Sequence, residues 1–550
     1  MSKQSTTKGF AILSMTGFIC KILALIYIPI QTAIVGNVGN SVISNGYRIY
    51  VFMFSLANLG IPTTISKLIS EQNELGNFKG SKKIFKMSFV LIMVISLIFA
   101  VLLAISSKWI ATEIRQPEAY LMFITLSPVF IFTGINCALR GYFQGRKNMI
   151  PTAISQLVEQ IFNSVLTVIL VYTMYNYTKT GIFDKLSNAA AGSAFGTLAG
   201  AFCATLFLCI LFFVIRKQRK KEELNQSYIG KELSNKFVLK QLFLYSIPSI
   251  IATLGSSAAD LIDATNCVRR MIESGISEEL AKNINGQYTT AYQRTLSLSI
   301  FIVTALVAAI VPAIASANRS NDKKLLKHKI KESFRALFLF MAPALVGFTF
   351  LAKPIITFIF FNVNQDGSIF LSAWGWSNIL FGIITIQSAI LIGIGKPVIA
   401  PVSLIFGMLI KLFINFFLIS IPSVNMHGAA IGTAVGWFIS LAINSYFINK
   451  ELKYKVDYLK LLFMPVACSI GMGIVSFISF YSLNFVFSSF IKTSLISNDI
   501  SLVLAIFISI YIYAILLFKS KTLNKNELIN LPMGNKINTF VSKMPIIKDL

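Results

Sequence analysis

The chain has 550 residues, of which 55% are hydrophobic and only 13% are charged, and its mean hydropathy is +0.72. Soluble domains carry about 25% charged residues, so this composition excludes an ordinary soluble protein and predicts an all-α polytopic membrane protein. The net charge of +27 comes from Lys and Arg placed between apolar runs rather than on one amphipathic face, which indicates membrane orientation and no nucleic-acid partner.

The first predicted element is a transmembrane helix over residues 10–35. Lys3 and Lys8 precede this apolar run, as in a secretory signal, but the run is too long and lacks a cleavage site of small residues. Counting about 20 apolar residues per crossing, we predict fourteen spans: 10–35, 47–70, 84–107, 119–139, 152–175, 188–215, 241–266, 286–317, 336–352, 370–393, 397–421, 427–449, 461–485 and 494–518.

The loops give this count an independent test, because Lys and Arg concentrate on the cytoplasmic side of a membrane. Loops and termini assigned to the inside carry 35 Lys and Arg, whereas those assigned to the outside carry 10. If an odd number of spans had been missed or added, this alternation of positive charge between the two sides would be lost. We therefore predict an even number of spans with both termini in the cytoplasm.

Two pairs of similar segments indicate an internal repeat. AAAGSAFG at 189–196 matches AAIGTAVG at 429–436 with an offset of 240, and GRKNMIP at 145–151 matches GKPVIAP at 395–401 with an offset of 250. Small residues at this spacing also occur simply because they let membrane helices pack closely. Two pairs in the same order favour duplication, with spans one to six related to spans seven to twelve.

Charged residues inside predicted spans are the first candidates for a functional site. Such a residue costs roughly 2.5–3.5 kcal/mol near the bilayer centre, so it normally faces the bundle interior or a wet cavity. Lys21 and Arg294 are candidates for function, whereas Lys67 is close enough to a span end to reach the interface. Lys411 lies in the middle of span eleven.

The acidic candidates are Glu159 in span five and Asp260 with Asp263 in span seven. The two aspartates are three positions apart and therefore share one helix face. Structural pairing with the cations and a role in coupling remain equally open for all three carboxylates.

A cationic cavity suits phosphate or carboxylate groups, which Lys and Arg bind through charge-assisted hydrogen bonds. Gly60 with Pro62, and Pro248, would break helices and free backbone groups for a substrate. No Walker loop occurs, so we expect energy from the membrane potential, a cation gradient or the substrate's own gradient.

Neither an enzyme nor a metalloprotein is predicted. The predicted outer loops are short and hold no paired acidic motif, so a membrane-embedded glycosyltransferase is disfavoured. Two histidines are too few and too far apart for a metal site, and we expect no cofactor. The six cysteines have no CxxC spacing and indicate small buried thiols: Cys20, Cys137, Cys203, Cys209, Cys267 and Cys468.

The run LRGYFQGRKNMIPTAISQLVEQ at 139–160 resembles the polysaccharide exporters of the MOP superfamily, the SpoVB/MurJ-like group. Further similar stretches are LGIPTTISKLISE at 59–71, residues 260–270, VPAIASA at 311–317 and HGAAIGTAVG at 427–436. The opening IYIPIQTAIVG, followed by NGYRIYVFMFSLANLGIP, is most similar to the Gram-positive lipid II flippase branch, the YtgP-type MurJ proteins.

This resemblance implies a MATE/MurJ-like fold with two pseudo-symmetric six-helix lobes around a V-shaped cavity and alternating access. The implied organisation is an N-lobe (1–218), a C-lobe (219–456, with a cytoplasmic linker at 216–240), a lipid-tail groove of helices thirteen and fourteen (457–518) and a basic cytoplasmic tail (519–550).

The resemblance also implies substrate contacts. Lys21 occupies the place where MurJ proteins carry a basic residue in the first helix, and Arg294 is near the basic position of span eight. The paired arginines that follow PNLL in Gram-negative MurJ fall here at Ile61 and Pro62, which leaves Arg48 and Lys67 as substitutes. Asn58, in the NLGIP run, completes the candidate set.

The implied function is a flippase in the bacterial plasma membrane, acting as a monomer on a lipid-linked anionic glycan amid membrane lipids. Lipid II, an undecaprenyl-pyrophosphate-linked precursor, is the favoured substrate. Another lipid-linked glycan flippase, or a SpoVB-type sporulation paralogue, would look very similar. A cation-coupled multidrug exporter shares the fold, but the mainly basic charges inside the spans argue against it.

Overall fold

The computed structural model describes residues 6–58, 60–225, 233–320, 322–361, 363 and 365–523. Over these ranges the chain forms α-helices joined by short turns and contains no strand. The predicted all-α membrane fold is confirmed. Most of the predicted basic tail, from residue 524 onward, lies outside the described residues.

The first half of the chain forms ten α-helices among the described residues: α1 Thr6–Asn58, α2 Ile61–Glu74, α3 Phe78–Glu113, α4 Tyr120–Leu126, α5 Val129–Gly145, α6 Ile150–Asn176, α7 Ile182–Val214, α8 Arg216–Leu224, α9 Asn235–Glu273 and α10 Glu278–Gln287. A π-helix, Tyr288–Arg294, then continues α10 into the second half.

The second half forms nine α-helices among the described residues: α11 Thr295–Arg319, α12 Lys323–Phe350, α13 Ala352–Phe360, α14 Ser368–Trp374, α15 Asn378–Gly393, α16 Ile399–Leu418, α17 Met426–Leu452, α18 Tyr458–Phe490 and α19 Ser494–Lys519. Most of the fourteen predicted spans match one of these helices, with extensions at the ends. The short helices α8, α10 and α13 lie in predicted loops.

The described residues contain ten segments long and apolar enough to cross a membrane, or eleven if α4 and α5 form one bent span. One segment, Ile12–Glu74, has 63 residues, whereas a single crossing needs about 20. The segments α9 and α11, which match predicted spans seven and eight, are not among the ten. The chain is therefore a multi-pass membrane protein, and the count of fourteen stays a prediction.

Glycine sets the breaks in the first segment. Gly36 interrupts α1 with φ 67° and ψ −173°, a conformation essentially restricted to glycine. Gly60 has φ 62° and precedes α2, which has Pro62 in its first turn, so the break predicted there is confirmed. Pro248 was expected to break its helix, but α9 continues through it.

The predicted first outer loop, between residues 35 and 47, is helical. Asn40 in this stretch is fully buried, because the helix resumes directly after Gly36 and packs within the protein. The polar residues at 37–45 gave the segment a loop-like composition, and this misled the prediction.

Contacts divide the chain into two compact units, Met1–Gly286 and Gln287–Leu550. Predicted span seven, α9, belongs to the first unit: Ser257 on α9 hydrogen-bonds Ser55 on α1 at 2.9 Å. The lobe boundary that the resemblance implies lies at residue 218, within α8. It stays a prediction, as do the other domain bounds.

The two small-residue motifs have equivalent neighbours in their own units. In the first unit, Gly196 of α7 lies against Thr167 of α6, where an added Cβ would come within 2.1 Å of Thr167 Oγ1. In the second unit, Gly436 of α17 lies against Gly407 of α16, where a Cβ would come within 2.6 Å of the Gly407 carbonyl oxygen. Each motif thus allows close approach to the preceding helix.

The second pair of matching segments forms the same turn in both units. After α5, the Asn148 amide donates to the Phe143 carbonyl and the Lys147 amide to the Gln144 carbonyl. After α15, the Lys396 amide donates to Leu391 and the Gly395 amide to Ile392. Both are Schellman motifs with a left-handed residue, Lys147 or Gly395. The structural offset is 248 rather than the 250 of the sequence match.

Candidate functional site

Lys21 lies near the middle of the first long arm of α1, and its side chain is exposed. The adjacent Cys20 is half-buried, and its thiol donates to the Gln156 carbonyl on α6 at 3.7 Å. Lys21 makes no ion pair with any residue of the described ranges. A mid-helix ammonium group is therefore available beside the surface where α1 packs on α6.

Glu159 forms an ion pair that the sequence reading missed. Arg140 on α5 donates from Nη2 to Glu159 at 2.6 Å and from Nε to Ser155 Oγ at 2.9 Å. The two charged side chains are only 16% and 29% exposed. Of the two roles left open for Glu159, structural pairing therefore has direct support.

The sequence predicts that Arg140 lies in a loop, because predicted span four ends at residue 139. Helix α5 instead continues to Gly145. Arg140 and Glu159 lie at opposite ends of the family-like run 139–160, which could have signalled the pair. Glu159 is one turn beyond Gln156, where α1 contacts α6, so Lys21 and this pair lie on neighbouring parts of three packed helices.

The proposed substitutes for the missing arginines have different surroundings. Arg48 is 9% exposed and donates to Asn45 Oδ1 at 3.0 Å, so it is held inside the unit. Lys67 is exposed, lies 3.6 Å from the centre of the Tyr245 ring and 3.9 Å from Glu71. The side chain of Asn58 lies outside the described residues.

The two aspartates of α9 follow the point at which this helix hydrogen-bonds α1. Asp263 is fully buried and Asp260 is half-buried. Ser257, three positions before Asp260, is the residue that hydrogen-bonds α1. Both carboxylates interact with other parts of the protein, and their role in coupling stays a prediction.

In the second unit, Arg294 is half-buried and ends the π-helix. π-Helical turns are rare and often occur at functional sites. Here the rings of Tyr288 and Tyr292 pack in a tilted arrangement with their centres 5.0 Å apart, and Tyr292 hydrogen-bonds Ser377 at 2.9 Å. The turn that presents Arg294 is therefore held by packing.

Lys411 is 1% exposed and lies at the contact between α16 and α17. A Cβ added to Gly432 would come within 3.3 Å of Lys411 Cγ. Lys411, a candidate for charge pairing or coupling, is thus buried at a helix contact, and its role stays a prediction.

A second missed set of charges links the ends of α3 and α9 in the first unit. Lys282 on α10 is 4% exposed and contacts Glu118 at 2.7 Å. Nearby, Arg269 pairs with Glu113 and with Glu273, and Arg270 pairs with Glu273 as well. Hydrogen bonds from Arg269 and Arg270 lower the pKa of the Glu273 carboxyl.

The opposite end of the first unit holds the linker helix α8. Glu222 accepts two hydrogen bonds from Arg146 Nη2, at 2.7 and 2.8 Å, and Glu223 lies 2.7 Å from Lys82. Helix α8 is therefore fixed to the first unit through its two acidic residues. Within the described ranges, no group of three His, Cys, Asp or Glu side chains could hold a metal.

The chain is similar to known proteins over most of its length. Residues 6–318 match the family described as "Polysaccharide biosynthesis protein". The chain is 26% identical to the "Lipid II flippase MurJ" of Bacillus subtilis (strain 168), over 85% of this chain and 87% of that protein. It is 24% identical to the "Stage V sporulation protein B" of the same organism, over 98% and 99%.

The fold is similar to solved multidrug resistance MATE family transporters of the MOP superfamily. An inward-facing structure aligns with a TM-score of 0.65 at 17% identity, covering 79% of this chain and 94% of that one. An outward-facing structure aligns with a TM-score of 0.55 at 18% identity, covering 82% and 97%. The predicted MATE/MurJ-like fold class is confirmed.

Proposed function

Because the chain belongs to the polysaccharide biosynthesis protein family, we propose that it is a flippase for a lipid-linked, pyrophosphate-bearing glycan. The relatives include a lipid II flippase matched over most of both chains, so lipid II is the substrate we favour. The predicted place in the MOP superfamily, among SpoVB/MurJ-like exporters, is confirmed by the same matches.

The proposal rests mainly on the position and surroundings of Lys21. It is a mid-helix cation with an exposed side chain and no carboxylate partner in the described part of the chain, and an uncompensated charge in a membrane helix is costly unless it faces water or an anion. A pyrophosphate group would supply the missing negative charge through charge-assisted hydrogen bonds.

Arg294 is the proposed second contact. It is half-buried at the end of the π-helix, and its guanidinium group would supply a second positive charge to the headgroup. The proposal places the protein in the bacterial plasma membrane as a monomer with both termini in the cytoplasm, driven by the membrane potential or a cation gradient and without catalysing a covalent step.

A cation-coupled multidrug exporter is the second candidate, because the solved structures with the same fold are described as multidrug resistance transporters. Against this candidate, Lys21 is exposed while Glu159 is neutralised by Arg140. An uncompensated lysine at the binding site would repel cationic drugs.

The test is rescue of bacterial cells depleted of their lipid II flippase. We expect the full chain to restore growth and outer-leaflet lipid II, measured by labelling accessible lipid II on intact cells. Failure to restore growth, at a normal protein level, would overturn the choice of lipid II. Rescue of a SpoVB-deficient strain instead would assign the sporulation branch, whereas drug resistance without either rescue would favour the exporter.

A further inference from the structure

A cavity of about 520 Å³ lies in the first unit between α3 and α9, apart from Lys21 and the Arg140–Glu159 pair. Its wall is mainly apolar, with Val90, Leu91 and Val94 from α3 and Leu239 from α9. Val90 is 54% exposed and Val94 is 52% exposed. The cavity is thus a groove between α3 and α9 that is open at the surface of the protein.

Two lysines stand at one end of this groove. Lys83 is half-buried and Lys86 is exposed. Neither forms an ion pair with the residues that the structure describes, whereas the adjacent Lys82 lies 2.7 Å from Glu223. The groove therefore ends at two positive charges that the protein itself does not neutralise.

The charges and the apolar wall share one face of α3. Lys83, Lys86, Val90 and Val94 recur at intervals of three or four residues, which places them on one side of a helix. From Lys83 to Val94 the helix rises about 16 Å at 1.5 Å per residue, about half of the roughly 30 Å hydrocarbon thickness. This face therefore matches one leaflet, with cations at headgroup level and apolar residues along the tails.

We propose that the groove between α3 and α9 binds an anionic phospholipid of the surrounding membrane. Lys83 and Lys86 would hold the phosphate, with the amide of Asn235 at the same end, and an acyl chain would lie along Val90, Val94 and Leu239. The selectivity would come from the attraction of the two lysines for a negatively charged headgroup, while the apolar wall would only accommodate the acyl chain, because lipid tails are as apolar as the side chains they contact.

Charge complementarity selects this occupant. Two cations with no carboxylate beside them favour a lipid with net negative charge over a zwitterionic one, whose own cation would face the lysines. Helix α8, fixed to α3 through Glu223, adds the exposed Arg216, Lys217, Lys220 and Lys221. The cationic end of the groove thus lies beside a wider basic surface.

The test uses the purified, delipidated full chain in detergent and native mass spectrometry to count retained lipids. Phosphatidylglycerol, phosphatidylcholine and undecaprenyl pyrophosphate are the three probes. We expect Lys83→Gln/Lys86→Gln to weaken phosphatidylglycerol retention at least fivefold. Lys108→Gln, an exposed lysine at the other end of α3, is the matched control and should leave retention unchanged.

A second variant tests the groove without altering charge. Val90→Trp should fill it and lower phosphatidylglycerol retention while both lysines remain. Equal retention of phosphatidylcholine and phosphatidylglycerol, or full retention by the double lysine variant, would overturn the proposal. Displacement of phosphatidylglycerol by equimolar undecaprenyl pyrophosphate would overturn it too, because the groove would then serve a lipid-linked substrate. Flipping of lipid II is not measured, so the result is independent of the proposed function.

Discussion

Lys21 and the Arg140–Glu159 pair lie on three helices that pack together, yet their charges are balanced differently. Arg140 and Glu159 neutralise each other at 2.6 Å, and both are largely shielded. Lys21 is exposed and has no carboxylate partner in the described ranges. Removing Lys21 should therefore affect an external ligand, whereas removing a member of the pair should affect the fold.

Lys21→Ala is expected to abolish rescue of flippase-depleted cells while protein level and melting temperature stay near wild type. Lys21→Arg should rescue better, because the charge is kept although its hydrogen-bond geometry changes. Arg294→Ala should behave like Lys21→Ala if both cations hold the headgroup. Lys108→Ala, an exposed cation on α3, serves as the control. A loss of folded protein in Lys21→Ala would favour a structural role instead.

For the Arg140–Glu159 pair, we expect substitutions to lower the stability of the protein. Arg140→Gln strands the Glu159 carboxylate in a largely shielded site, so we expect a loss of about 1–3 kcal/mol, below the roughly 3–5 kcal/mol for a fully buried pair. Arg140→Gln combined with Glu159→Gln should recover most of that loss. Thermal unfolding of the purified variants measures the coupling, and strictly additive effects would show that the two side chains do not support each other.

At the scale of elements, glycine decides where helices approach closely. Gly196 on α7 has Thr167 Oγ1 within 2.1 Å and the Thr167 amide nitrogen within 2.7 Å of an added Cβ, whereas Gly347 in α12 has nothing within 4 Å. Both glycines are helical. Substituting each of them by alanine therefore distinguishes the effect of close helix packing from the intrinsic cost of glycine in a helix.

Gly196→Ala is expected to force α6 and α7 apart and to lower stability by about 1–3 kcal/mol. Gly347→Ala should be neutral or stabilise by about 0.5–1 kcal/mol, because alanine loses less conformational freedom on folding. Melting curves in one detergent compare the two variants. Equal effects at both sites would mean that the contact of α7 with α6 is readily relaxed.

The charged end of α9 predicts a pH effect. Hydrogen bonds from Arg269 and Arg270 lower the folded-state pKa of Glu273, so its contribution to stability is present above the unfolded-state pKa and is lost as the pH falls through the folded-state pKa. Because Glu273 is partly exposed, the contribution is small, about 0.2–1 kcal/mol.

Glu273→Gln should therefore melt below wild type at pH 7, and the difference should shrink as the pH falls below about 4.5. Glu279→Gln is the control, because Glu279 is exposed and forms no ion pair among the described residues. A difference between Glu273→Gln and wild type that stayed constant with pH would contradict the assignment.

For the whole molecule, hydropathy predicted the helices well but not the places where they bend or pair. Windows of apolar residues end at the first charges, whereas α5 and α3 continue past them to Gly145 and Glu113. That is why Arg140 was assigned to a loop. The polar stretch around Asn40 is helical although its sequence predicts a loop, because a buried polar helix has the composition of a loop.

The site was predictable only where one residue carries the signal. Lys21 stands out because a charge inside an apolar run is costly, and the structure leaves it exposed. Partners such as Lys282 for Glu118, which are 164 positions apart, depend on tertiary packing and have no local pattern. The role of each candidate residue in transport stays a prediction.

The membrane topology follows from the distribution of positive charge. Single cysteines at Thr180 and Ser423, in a cysteine-free background, should react with an impermeant reagent on intact cells. Cysteines at Lys217 and Lys396 should react only after the membrane is opened. All four positions are exposed, so burial does not limit labelling, and reaction of both groups on intact cells would refute the predicted orientation.

The buried contact of Lys282 with Glu118 also sets an order of events during synthesis. At about 5–20 residues per second, the 164 positions between them take roughly 8–33 s to translate. During that time Glu118 leaves the ribosome and waits without its cation, so the part of the first unit around it closes only once α10 has been made. A nascent chain that stops before Lys282 should therefore remain open to proteases at this point, although α1 to α9 are already complete.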